Sequence, residues 1–286
     1  MPDVSLAAVV DTRPARAEEI AHKYGAPSFT DVNAAVAHVD AAVVAVPTVD
    51  HLTVARTLIE RRIPVLLEKP IAASLAEADD LLRLAHTHGV VFGVGHTERF
   101  NPAVVAAMPL VSDPRFVEVH RLGTFPERSL DIDVIFDLMI HDLDLLLAAV
   151  RSPVVSVEAV GVNVLTPRTD IANARLKFES GCIANLTASR ISRDRVRKAR
   201  FFQHDSYVSI DFAAQEVEVY RLTGQSNGRP TIEGGRLTVE QEEPLKRELA
   251  DFVDAVRGGR APAVSGTAGR EALALATRIA EAMNER

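Results

Sequence analysis

Val65-Leu66-Leu67-Glu68-Lys69-Pro70 is the stretch whose reading decides the fold. Three apolar residues in a row predict a strand buried on both faces, as in a parallel sheet. The run then stops on an acid, a lysine and a proline. Pro70 cannot extend the ladder and steers Lys69 to extended backbone, so the strand ends there with the lysine aimed beyond its carboxyl edge. In an open α/β sheet, ligands bind at that edge.

Outward from this strand the pattern repeats. Upstream, Val4 to Val10 is an apolar run closing on Asp11-Thr12-Arg13-Pro14, followed by a helical pattern through Tyr24 that Gly25 stops. Ala41 to Val46 is a second buried strand ending in Pro47-Thr48, and Leu52 to Arg62 is the helix leading into Val65. Downstream, Leu75 to His88 is a helix stopped by Gly89, and Val90 to Val94 a strand ending at Gly95-His96. Strands alternating with helices at this spacing predict a parallel, doubly wound sheet.

Past Phe100 the pattern changes. Apart from a long helix around Ile132 to Val150, the chain to about Glu240 reads as consecutive strands: Val154 to Val164, Ala172 to Glu179, Cys182 to Ser189, Ala199 to Gln203, Tyr207 to Phe212 and Glu216 to Leu222. Short turns between them predict an antiparallel sheet. Helical period returns over Leu245 to Val256 and Gly269 to Met283. The expected organisation is α/β plus α+β: a dinucleotide-type domain over residues 1–100, then a domain with an open, mostly antiparallel sheet over 101–286.

Composition narrows the class. With 286 residues, 47% of them hydrophobic, the chain can bury two cores, and with no tryptophan and few aromatics those cores must be aliphatic. A net charge of -7 disfavours nucleic acid and anionic membrane as partners. Cys182 is alone and cannot form an internal disulfide, which fits a reducing compartment. Neither a signal peptide nor a membrane-spanning run is expected, and the reading is a cytoplasmic protein.

The long helix holds the second group of polar residues. Ile132, Ile135, Phe136, Met139, Ile140, Leu143, Leu146 and Leu147 share one face, which must be core. Asp133, Asp137, His141 and Asp144 fall within about 80° of one another on the remainder. Between Ser129 and Val150 there is no Lys, Arg or Glu, the residues a solvated face ordinarily carries. The alternatives are a plain polar stripe and a histidine oriented by carboxylates to accept a proton. Without a second His or Cys at ligand spacing, no metal is expected.

Glu68-Lys69-Pro70 after a buried strand, Asp137-x-x-x-His141 on a helix with the sequel Asp142-Leu143-Asp144, and the Gly95-His96 turn between them resemble the Gfo/Idh/MocA oxidoreductases, the glucose-fructose oxidoreductase and inositol dehydrogenase family. The resemblance runs over essentially the whole chain. It implies a Rossmann domain binding NAD or NADP, a C-terminal sheet that binds a sugar-like alcohol and builds a homodimer or homotetramer, and a lysine and histidine working across a cleft. Carried over, Lys69, Asp137 and His141 are the catalytic residues, and Pro47-Thr48 with His51 the loop over the cofactor, beside Glu68. Gly95-His96-x-Glu98-Arg99-Phe100-Asn101-Pro102 and Asp170-Ile171-Ala172-Asn173-Ala174-Arg175-Leu176 also look like the branch acting at C3 of UDP-N-acetylglucosamine-type sugars.

The departure from the family is the Gly-x-Gly-x-x-Gly turn, absent here together with the strand before it. In the expected order that strand lies between those of Val4 and Ala41, and its loss exposes two ladders of unpaired backbone. The expectation is therefore a native chain with roughly 30 further residues upstream, one strand–turn–helix unit. If the chain truly lacks that turn, the competing reading is a non-catalytic sugar-nucleotide-binding or scaffold protein. An imine or bilin reductase is disfavoured by the Asp137/His141 pair, which such reactions do not need.

Asp11 stands where a carboxylate accepts hydrogen bonds from ribose hydroxyls, favouring NAD, while Arg13 would suit the extra phosphate of NADP. The same residues fit a helix start with an Asp or Thr cap and Pro in the first turn. Arg99 and Asn101 are candidates for a substrate hydroxyl or phosphate, with an interdomain ion pair as the alternative. Arg190, Arg193, Arg195, Arg197, Lys198 and Arg200 form a basic cluster, either a solvated edge or a diphosphate site.

Overall fold

The computed structural model describes residues 1, 3–125, 130, 132–226 and 229–284. The chain forms two compact units, one of Met1–Gly95 with Glu248–Arg270 and one of His96–Arg247 with Glu271–Arg286.

In the first unit β1 (Val9–Val10), α1 (Pro14–Tyr24), β2 (Ser28–Phe29), the short α2 (Val32–Ala35), β3 (Ala42–Val44), α3 (His51–Ile59), β4 (Val65–Glu68), α4 (Leu75–His88) and β5 (Phe92–Gly95) alternate as expected. The pairings among these strands are parallel. Val65 and Leu67 of β4 are completely buried and Leu66 nearly so, as a central strand between two neighbours requires. Helix α4 runs from a Ser74 cap, whose hydroxyl accepts the Glu77 amide, to Gly89 at φ 64°, a left-handed stop that glycine adopts without penalty.

The parallel strands fall into two sheets, β1-β2 and β3-β4-β5, with no ladder joining β1 to β3. The strand expected over Val4 to Val10 contracts to Val9–Val10, because β2 offers only two residues to pair with. Val10 and Val43, on the two edge strands β1 and β3, are 41% and 54% exposed, unusual for aliphatic residues of a doubly wound sheet.

The last part of the chain returns to this unit, which a single boundary at residue 100 did not anticipate. Val94 donates its amide to Val264 O at 3.1 Å, Gly93 bridges to Ser265, and Arg270 pairs with Asp79 at 2.9 Å. Gly269 packs on Val94 so closely that an added Cβ would lie 2.7 Å from a valine methyl.

The second unit is a sheet of eight strands: β6 (Phe116–Leu122), β7 (Val154–Val162), β8 (Ile171–Phe178), β9 (Ile183–Ser189), β10 (Val196–Phe202), β11 (Ser206–Asp211), β12 (Glu216–Ser226) and β13 (Arg229–Arg236). The order is β13-β12-β11-β10-β6-β9-β8-β7, antiparallel except for β6 against β9. The six expected strands are present, and β6 and β13 are additions. One face packs on α5 (Pro102–Ala107), α6 (Ile140–Val150) and the later turns of α8 (Gly266–Asn284); α7 (Pro244–Gly258) precedes α8. Ala174, Leu176, Phe178, Leu186, Leu143 and Ile279 are buried in that core.

The other face is open. Phe116, Phe202, Tyr207 and Tyr220 stand in register on four adjacent strands, with successive ring centroids 5.6, 5.1 and 6.3 Å apart. Beside them runs a row of polar and charged residues in which Arg200 holds Glu118 at 2.8 Å and Arg175 donates to Asn185 at 3.1 Å. Strand β8 alternates as its sequence predicts, Ala172, Ala174, Leu176 and Phe178 inward and Asn173, Arg175 and Lys177 outward.

The long helix differs from expectation in one respect. Ile135–Met139 forms a π turn before α6 begins at Ile140. A π turn inserts extra residue into the helical repeat, so residues before it are rotated relative to those after. The apolar face stays buried through Ile135, Met139, Ile140, Leu143 and Leu146, whereas the polar stripe is broken up.

Candidate active site

At the carboxyl ends of the first unit's strands, Asp11 and Arg13 engage each other. Asp11 Oδ1 accepts the Arg13 amide at 2.9 Å and its Nε at 3.2 Å. The Arg13 side chain and amide hold the Asp11 carboxyl below the ordinary aspartate value. Arg13 itself occupies the N-cap position of α1 without a side-chain cap, and Pro14 opens the helix; neither Asp11 nor Thr12 caps it. The pair is exposed and costs little to open.

The strand of Ala42–Val44 runs out to Pro47, and Thr48 begins a short 3-10 turn leading into α3. His51 is not on the surface of that loop. It is buried, with Nδ1 2.9 Å from Pro70 O and Nε2 3.0 Å from Val46 O, so each ring nitrogen faces a backbone carbonyl and the one that carries the proton donates to it. The imidazole thereby joins the loop after β3 to the loop after β4. Glu68 accepts the Lys69 amide through Oε2 at 3.2 Å, and the Lys69-Pro70 peptide bond is cis. Gly95 lies opposite Glu68 in register, where a Cβ would sit 3.2 Å from Glu68 Oε2; glycine leaves that carboxylate its room.

In the second unit, Asp137 lies within the π turn and His141 one residue into α6. The ring of His96, fully buried, stands edge-on to His141 with centroids 6.1 Å apart and planes at 88°. Asp133 and Asp144, expected beside His141, have other partners. Asp133 Oδ1 accepts the Thr169 amide at 2.7 Å, and Asp144, 1% exposed, receives Arg99 Nε and Nη2 at 2.6 and 2.9 Å.

Arg99 is thus part of an ion pair, and the pair lies within the second unit. Asn101 is committed too: Oδ1 caps α5 by accepting the Ala103 amide at 3.0 Å, and Nδ2 donates to Phe212 O at 3.0 Å. Next to them Arg121 holds Asp142 through Nε and Nη2 at 2.8 and 2.7 Å and Glu98 through Nη1 at 3.0 Å. Burial works against the Arg121 charge, yet Asp142 and Glu98 outweigh it and leave the guanidinium more basic than an ordinary arginine. Asp142 and Asp144 follow His141 by one and three positions, so the buried Arg121 and the partly buried Arg99 fix the helix that presents the histidine. Arg121 has a sequence signal: in the alternation Phe116-Val117-Glu118-Val119-His120-Arg121 it takes the inward position of Val117 and Val119.

The basic cluster separates. Arg190 is buried on Asp170, Lys198 and Arg200 pair with Asp211 and Glu118, and Arg193, Arg195 and Arg197 stay exposed. Among the described residues no group of three or more His, Cys, Asp or Glu is placed to hold a metal ion, and no helix is long and apolar enough to cross a membrane.

The chain thus combines a parallel nucleotide-type unit, in which Glu68-Lys69-Pro70 follows a buried strand, with a second unit whose eight-stranded sheet packs on the helix of Asp137 and His141. Residues 1–96 match the oxidoreductase family model described as NAD-binding Rossmann fold, and residues 113–207 the GFO/IDH/MocA C-terminal domain. UDP-N-acetylglucosamine 3-dehydrogenase of Acidithiobacillus ferrooxidans is 37% identical over 276 residues, 96% of this chain and 88% of the relative. A solved structure of UDP-N-acetylglucosamine 3-dehydrogenase from that organism aligns at TM-score 0.91 and 36% identity, covering 97% of this chain and 89% of the other. Levoglucosan dehydrogenase in complex with NADH and levoglucosan aligns at TM-score 0.89 and 16% identity, covering 98% and 88%, a likeness of fold. The chain belongs to the Gfo/Idh/MocA family of NAD-binding oxidoreductases.

Proposed function

We propose that this chain is an NAD-dependent dehydrogenase of nucleotide sugars, oxidising the C3 hydroxyl of a UDP-N-acetylglucosamine-type substrate reversibly. The observation that carries the reading is its 37% identity, across 96% of its length, to an enzyme of that name. Lys69, Asp137 and His141 stand at the motif positions such chemistry uses.

Asp11, Pro47 and Thr48 line the strand ends that would hold NAD, and the exposed Asp11–Arg13 pair opens at little cost to admit ribose hydroxyls. Because the Asp11 carboxylate accepts from ribose hydroxyls and repels a phosphate, NAD is favoured over NADP. Bound NAD supplies the redox chemistry. His141 takes the hydroxyl proton, Asp137 orients its imidazole, and Lys69 donates a hydrogen bond to the reacting oxygen as charge develops there. Glu68 and His51 hold the backbone on either side of Lys69. The exposed Arg193, Arg195 and Arg197 supply positive charge for a diphosphate.

The open sheet face, with its aromatic row beside its charged row, serves self-association about a two-fold axis as a homodimer or homotetramer. A lone, buried cysteine fits work in the cytoplasm. The test is NADH formation by the full chain with UDP-N-acetylglucosamine, free N-acetylglucosamine and myo-inositol, with light scattering at low and high salt. Preferred turnover of the nucleotide sugar by an oligomer that loosens with salt agrees with the reading. Preferred turnover of inositol, or a monomer throughout, contradicts the corresponding part.

A further inference from the structure

The inward positions of two strands, extended past their ends, meet in an opposed pair of charges. Strand β8 buries every second residue from Ala172 to Phe178, and the same parity carried back reaches Asp170; β9 buries Ala184, Leu186 and Ala188, and carried forward it reaches Arg190. Arg190 Nε donates to Asp170 Oδ1 at 2.9 Å, and Asp170 has no solvent exposure.

The carboxylate does more than neutralise an arginine. Its Oδ2 accepts three successive backbone amides, Val164 at 2.8 Å, Leu165 at 2.6 Å and Thr166 at 2.9 Å, and Oδ1 accepts the Thr166 hydroxyl at 2.8 Å. Burial alone pushes the Asp170 carboxyl up, but these donors outweigh it and hold it well below the ordinary range. A run of amides converging on one charged oxygen gives the loop's backbone the hydrogen bonds that regular structure would otherwise supply.

That loop leads directly to Thr169, whose two backbone groups both bind the start of the helix bearing Asp137 and His141. The Thr169 amide donates to Asp133 Oδ1 at 2.7 Å, and Thr169 O accepts the Val134 amide at 3.1 Å, satisfying a first-turn donor that no intrahelical carbonyl can reach. Asp133 O in turn accepts the Asp137 amide at 3.1 Å. The contacts run without a gap from Asp170 through Thr169 and Asp133 to Asp137. They lie outside the Arg99 and Arg121 clamps, which grip the same helix beyond His141.

We propose that Asp170 is a positioning residue for the dehydrogenase centre: it freezes the 164–169 loop, and the loop sets the first turn of the helix that presents Asp137 and His141. The role rests on the catalytic reading of that pair, while the coupling of loop to helix stands on its own. A residue acting through geometry affects the chemical step before it affects binding of a remote cofactor.

The test uses the full-length chain and three substitutions. Asp170→Asn should weaken amide hydrogen-exchange protection both at 164–166 and at 134–141, and lower kcat about tenfold with little change in KM for NAD. Asp133→Ala cuts the Thr169 amide contact and leaves Thr169 O on the Val134 amide, so it should reproduce much of the loss at 134–141 and in kcat while the 164–166 amides stay protected. Asp133→Asn, which keeps an acceptor oxygen, should restore both. Should Asp170→Asn fail to fold, the two Asp133 variants carry the test. Unchanged exchange at 134–141 with unchanged kcat in Asp133→Ala would overturn the proposal. His141→Ala, assayed in parallel, separates the two claims: if it keeps full turnover, the catalytic reading falls, and the exchange data still decide the coupling.

Discussion

The Arg99 guanidinium lies bidentate on the Asp144 carboxylate at 2.6 and 2.9 Å, across 45 positions of sequence, with Asp144 almost wholly out of solvent. Removing one partner of such a pair strands the other's charge, so Arg99→Ala or Asp144→Ala should lower unfolding free energy by about 3–5 kcal/mol. Urea denaturation measures it. A stability loss below about 1 kcal/mol, with a large rise in substrate KM for Arg99→Ala, would instead mean that Arg99 grips the substrate.

His51 links two loops through backbone carbonyls, Val46 O and Pro70 O. Replacing it with alanine removes the ring that spans the two carbonyls, with the one N–H it donates, and frees the loops of Thr48 and Lys69. His51→Ala should weaken NAD binding about tenfold, in line with a loss of roughly 1.4 kcal/mol, as measured by fluorescence titration. Unaltered NAD affinity in a folded variant would show that the staple does not shape the cofactor loop.

Asp170 also predicts a pH dependence. Its carboxyl is depressed below the ordinary aspartate value of 3.8 on folding, so the stability it contributes is complete above that value and is lost as pH falls through it toward the folded one. Parent and Asp170→Asn proteins should differ in thermal midpoint at neutral pH, and the difference should begin to shrink only as pH falls below about 3.8. A difference independent of pH would mean that the carboxylate's charge is not what the amides hold.

Cys182 is 1% exposed, and burial pushes its thiol up to about 11. Reaction with a disulfide reagent should be slow in the native protein and fast once urea unfolds it. Rapid native labelling would show that the core around Cys182 opens.

Much of this could be read in the residues. The buried run before Glu68, the Ser74 and Gly89 limits of α4, and the inward alternation of β8 follow from local chemistry that tertiary packing did not override. What escaped reading depended on distant partners. Nothing in Ile135 to Met139 announces a π turn, and without it Asp133 and Asp144 seemed to share a stripe with His141. Arg99 and Asn101 have the donors a sugar would want, and only folding shows those donors already used by Asp144, Phe212 and α5. Asp170, Arg190 and Arg121 did leave a trace, each a charge at the inward parity of an apolar strand, where burial demands a partner.

The most direct test of the account is the turnover of Lys69→Ala and His141→Ala in the full-length protein with NAD and UDP-N-acetylglucosamine, alongside NAD affinity. Each substitution should lower kcat by on the order of 10²-fold or more, with NAD affinity within a few-fold of the parent. Near-normal turnover in both variants would contradict it.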